Sequence, residues 1–80
     1  MKRKGLRIED PVIYEIRVLG SLDLKWSDRL QGLGIRIKEY SDKMTVTILS
    51  GRLKDQAALL GVLNALFALK LPLLFVFRII

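Results

Sequence analysis

Eighty residues make one small domain, near the lower limit at which a single core holds a fold. The chain has neither cysteine nor histidine, which excludes disulfide staples, zinc sites built on thiolate or imidazole, and any serine activated by a histidine. Its net charge of +6 is concentrated at the start: Lys2, Arg3, Lys4 and Arg7 supply four of the fourteen cations, and from Ile8 onward ten cations face eight acids.

Residues 1–7 are therefore expected to be a basic flexible tail, and residues 8–80 a single, mildly basic domain. No apolar stretch or small-residue cleavage site follows the basic start, so a secretory signal is not expected. With no cysteine, the expected setting is the reducing cytoplasm. Apolar residues, counted with glycine and without tyrosine, number 45 of 80, about 56%, against the usual 45–50%. A core this small rarely supplies more than about 3–5 kcal/mol without a staple, and self-association is the staple left.

Residues 12–19 alternate as a strand, with Tyr14, Ile16 and Val18 on one side and Glu15 and Arg17 on the other. Gly20-Ser21 ends it. Leu24 to Gly32 reads as one or two helical turns, with Ser27 as the cap and Gly32 as the stop. Residues 33–40 alternate again, Leu33, Ile35 and Ile37 against Arg36, Lys38 and Tyr40. Ser41-Asp42-Lys43 turns the chain, and residues 44–50 place Met44, Val46 and Ile48 opposite Thr45 and Thr47. Gly51 is read as the end of that strand. Asp55 stands where a helix cap belongs, and the helix is expected to run to Leu69 or Lys70, because Leu71 precedes Pro72 and favours extended backbone. Residues 73–79 form a last strand. The order β-(short α)-β-β-α-β is that of an α+β, ferredoxin-like two-layer sandwich with its first helix shortened, an antiparallel sheet in the order 4-1-3-2 and both helices on one face.

The runs Gly20-Ser-Leu-Asp-Leu-Lys-Trp26, Gly32-Leu33, Leu49-Ser-Gly-Arg-Leu-Lys-Asp-Gln-Ala-Ala-Leu59 and Leu71-Pro-Leu-Leu74 are similar to a family of short, mostly uncharacterised prokaryotic proteins. Its pattern is roughly G-x-L-x-x-x-W, G-L-x-I, D-Q-A-A-L-x-G-[LV]-L and L-P-L-L, and the likeness covers about residues 14–80. The resemblance implies a shared fold and no particular activity. The family usually carries charged residues in the second half of the helix and polar ones in the last strand, where this chain has apolar residues, Phe75 and Phe77 among them.

In the helix, Ala58, Leu59, Val62, Leu63, Leu66 and Leu69 make the expected inward stripe. The other side holds Ala57, Gly61, Asn64 and Ala68, flanked by Leu60 and Phe67, and no charge occurs from Gln56 to Leu69. Ala57, Gly61 and Ala65 recur every four residues, a spacing that lets a second helix approach closely. The expected interface is Ala57, Leu60, Gly61, Asn64, Ala65, Phe67 and Ala68, with Phe75 and Phe77 added if the last strand turns them outward. The opposite parity would put Leu73, Phe75 and Phe77 in the core. Trp26 is expected to cap the core beneath the short helix.

No catalytic, cofactor-binding or metal-ligating residue is assigned. The aspartates fall where Asp caps and turns, and Gly32-Leu33-Gly34 lacks the third glycine of a dinucleotide loop. A membrane span is not expected: Asn64, Lys70 and Pro72 interrupt the apolar stretch, and the helix alone falls short of a bilayer core of about 30 Å. The leading expectation is a non-enzymatic, self-associating interaction or assembly module, a homo-oligomer open to a protein partner. The alternative is a basic module for nucleic acid or another polyanion, touching phosphates through Lys2, Arg3, Lys4, Arg17, Arg36 and Lys38. A small-molecule sensor is the third reading.

Overall fold

The computed structural model describes residues 12–79, so the tail assigned to residues 1–7 lies outside the described residues. The chain forms a small α+β domain: β1 (Val12–Leu19), a short 3-10 helix (Leu24–Leu30), β2 (Gly34–Ser41), β3 (Met44–Leu53), α1 (Gln56–Ala68) and β4 (Leu73–Arg78). The strands make one open sheet in the order β2-β3-β1-β4, with every neighbouring pair antiparallel.

The core lies between one face of the sheet and the two helical elements. Val12, Tyr14, Ile16 and Val18 of β1 pack with Leu49 and Leu53 of β3, Ala58, Val62 and Leu66 of α1, and Leu22, Leu30 and Leu33 around the 3-10 turn. Trp26 is half-buried against this cluster, with the Arg29 guanidinium 5.3 Å above its ring.

The short helix is a 3-10 helix, and its cap is not Ser27. Asp23 accepts a hydrogen bond from the Lys25 backbone N–H (3.0 Å), whereas the Ser27 hydroxyl donates to the Leu33 carbonyl (2.7 Å) and ties the turn to β2. Gln31 and Gly32 both take left-handed backbone (φ 62° and 74°) and end the helix.

The faces of β3 are reversed from the alternation expected. Cross-strand partners share a face, and Ile16 lies opposite Leu49, Val18 opposite Thr47 and Ile37 opposite Thr47. The odd-numbered residues of β3 thus face the core, and Val46 and Ile48 face the other way. The cause is that Val46, Thr47, Ile48 and Leu49 are all buried, so this central strand has no wet side to set a period. Thr47 tolerates full burial because its hydroxyl donates to the Gly20 carbonyl (2.6 Å) and accepts from the Leu22 N–H (3.1 Å).

Nor does Gly51 end the strand. It sits inside β3 opposite Tyr14 at φ 151°, where a Cβ would lie 3.1 Å from a Leu33 methyl. Glycine is what lets the chain pass there, and β3 continues to Leu53.

In α1 the Asp55 carboxylate accepts from the Ala58 N–H (2.8 Å). The far end closes with Lys70 at φ 61°, its N–H on the Phe67 carbonyl (2.9 Å), and the Leu71 N–H on the Leu66 carbonyl (3.2 Å). This paired closure normally carries glycine at the left-handed position. Lys70→Gly is therefore expected to stabilise the fold by about 1 kcal/mol, read as a raised urea midpoint at unchanged slope.

Candidate interaction surfaces

Two surfaces lie on opposite sides of the domain, and the residues expected at an interface divide between them. On α1 the side away from the core presents Ala57, Leu60, Gly61, Asn64, Phe67 and Ala68, all exposed. Leu60 is 58% and Phe67 82% exposed. Nothing lies within 4 Å of where a Cβ on Gly61 would stand, so the seam is open above the backbone. Ala65 departs from the expectation: it is half-buried and packs on the core, because at 100° per residue it lies within about 60° of the buried Val62 rather than on the outer side. Beside this side, Leu63, Leu66, Phe67, Leu71, Pro72 and Leu73 line an apolar groove of about 400 Å³.

The second surface is the sheet face turned away from the helices, which no described element covers. The pairing arranges it in rungs. Lys38, Val46 and Leu19 form one, and Arg36, Ile48, Arg17 and Phe75 the next, running across all four strands. Gly34, Ser50, Glu15 and Phe77 form the third, and Arg52 opposite Ile13 the fourth. Phe75 and Phe77 therefore point away from the core, while Val76, opposite Ile16, packs into it. Their rings meet edge to face with centroids 4.5 Å apart, and the Arg17 guanidinium lies 5.2 Å from the Phe75 centroid. Arg17 also pairs with Glu15 at 2.8 Å.

Of the six cations expected to contact a polyanion, Arg17, Arg36 and Lys38 share this face; Lys2, Arg3 and Lys4 lie outside the described residues. Thr45 and Thr47 belong to the other face. Arg52 is not among the cations expected from the sequence, because a strand that ends at Gly51 leaves it out. The alternation of Leu49, Gly51 and Leu53 against Ser50 and Arg52 was the signal that places it. Among the described residues, no helix is long and apolar enough to cross a membrane.

An open four-stranded antiparallel sheet backed by one α-helix and a 3-10 turn defines a small α+β domain. The chain belongs to the family described as a domain of unknown function, DUF8691, whose model matches residues 13–76. No curated protein and no solved structure matches it.

Proposed function

We propose that this domain is a non-catalytic interaction module that self-associates through the outer side of α1. The fold is read as ferredoxin-like with its first helix reduced to a 3-10 turn. Support for that reading comes from β4 and β3 flanking β1 and from β2 pairing only with β3, all antiparallel. A cytoplasmic setting belongs to the same reading, on the lack of cysteine.

The observation that carries self-association is the exposure of Leu60 and Phe67 on a helix that has no charge from Gln56 to Leu69. Burying one side chain of this size contributes about 1.5–3 kcal/mol. In a symmetric pair each copy contributes the same residues, so the gain is doubled. Ala57, Gly61 and Ala68 between them present no bulk, and two helices crossing there can approach closely.

Sedimentation velocity and light scattering over a micromolar concentration series test the proposal. The expected mass is at least twice the 9.1 kDa of the chain. A 9.1 kDa particle at every concentration, with a cooperative melt, overturns it.

A further inference from the structure

The charge of the domain is not spread evenly. Residues 12–79 hold ten cations and six acids, a net of four positives. The helix-free sheet face alone holds four cations, Arg17, Arg36, Lys38 and Arg52, against the single acid Glu15, a net of three. Arg17 and Glu15 neutralise each other at 2.8 Å, so the excess is carried by Arg36, Lys38 and Arg52. All three are exposed, and among the described residues none of them forms an ion pair. Val46 and Ile48 beneath them are only 2% and 3% exposed. The face is thus an apolar floor bearing cationic heads that reach into solvent. Along the β4 edge of the same face stands the Phe75–Phe77 pair, with Phe77 51% exposed.

Cations and an aromatic pair with one exposed ring on one sheet face match a polyanion that also carries planar rings. Phosphates alone, as in a lipid headgroup or polyphosphate, would leave the rings unused, and a duplex keeps its bases stacked inside. We infer that this face docks single-stranded nucleic acid. Arg36, Lys38 and Arg52 hold phosphates, and a base stacks on Phe77 at the β4 edge. Phe75, braced by Arg17, fixes the Phe77 ring from its side. The surface offers charge and ring faces, with little to read base edges, so binding depends weakly on sequence and treats DNA and RNA alike. It lies on the opposite side of the sheet from α1 and does not depend on self-association there.

Fluorescence anisotropy of the full chain with labelled dT20, U20 and a 20-base-pair duplex, from 50 to 300 mM KCl, tests the inference. Both single strands are expected to bind, and more tightly than the duplex. Phe77→Leu keeps an apolar side chain but removes the stacking ring; it should weaken single-strand binding about tenfold and leave duplex binding unchanged. The double variant Arg36→Ser, Lys38→Ser should flatten the slope of log K against log salt by about 1.4, two phosphate contacts at about 0.7 each. Thermal melts of the variants, whose altered side chains are all exposed, verify folding, and Arg52→Ser supplies an independent charge test should either variant fail to fold. Absence of single-strand binding overturns the inference. So do an unaltered affinity in Phe77→Leu, a salt slope unaffected by the charge variants, duplex binding as tight as single-strand binding, and equal binding to phosphatidylserine vesicles with the same dependence on Phe77.

Discussion

Gly61→Glu should turn the associated protein into a soluble monomer whose melt is no lower than that of the unaltered monomer. Nothing stands near a side chain at this position, and glutamate favours helix over glycine by about 0.5–1 kcal/mol, so the fold itself is not harmed. In a dry helix–helix seam, however, the new carboxylate would be buried without a partner, at a cost of about 3 kcal/mol or more. That exceeds a hundredfold in the association constant and removes the oligomer at micromolar concentration. The comparison variant is Phe75→Ser with Phe77→Ser, which strips the aromatic pair from the edge strand. If α1 is the seam, this second variant keeps the oligomer. A monomer from the Ser variant and an oligomer from the Glu variant would move the interface to β4. Ala65→Glu is no substitute for Gly61→Glu, since Ala65 packs on the core and the variant would confuse association with folding.

Thr47→Val should cost about 2–3 kcal/mol, a large share of the roughly 4–12 kcal/mol usual for a chain of this length. Valine fills the same volume, so no cavity forms. The loss is chemical: the Gly20 carbonyl and the Leu22 N–H, which meet the Thr47 hydroxyl at 2.6 and 3.1 Å, are left without it in a buried place. Thr47→Ser restores the hydroxyl and should recover most of that loss. Chemical denaturation read by Trp26 fluorescence separates the two variants. A valine variant as stable as the unaltered protein, with serine the destabilised one, would show that the methyl group, not the hydroxyl, holds the connection between β1 and the 3-10 turn.

Thr47 also marks where the sequence ceased to be legible. In β1 the alternation of Tyr14, Ile16 and Val18 with Glu15 and Arg17 is chemically sharp, and both its range and its faces could be read directly. The cap at Asp55 and the uncharged outer side of α1 were equally plain, since each rests on residue types rather than on parity. β3 offered no such contrast. Its threonines looked solvent-facing, yet one is buried through hydrogen bonds, and Val46 and Ile48 are buried on the face opposite the core. Reading Gly51 as a break rather than a constriction then hid Arg52, and with it the full extent of the cationic face. The Ser27 cap failed for a similar reason, because a hydroxyl that could serve the helix was taken by the Leu33 carbonyl.

The sheet order bears on how the chain is born. β1 leaves the ribosome first among the described strands, yet both its neighbours are made later: β3 follows after more than twenty residues, and β4 is the last strand. Only the β2–β3 hairpin can zip locally. Ile16 and Val18 must therefore wait, unsheltered, until β3 arrives, and the other edge of β1 stays open until β4 has emerged. Such long-range pairing slows folding and lengthens the time during which a nascent strand can pair with the wrong edge. A polypeptide stalled before Leu73 would present β1 as a bare, apolar border, and quality control during synthesis would meet this protein there.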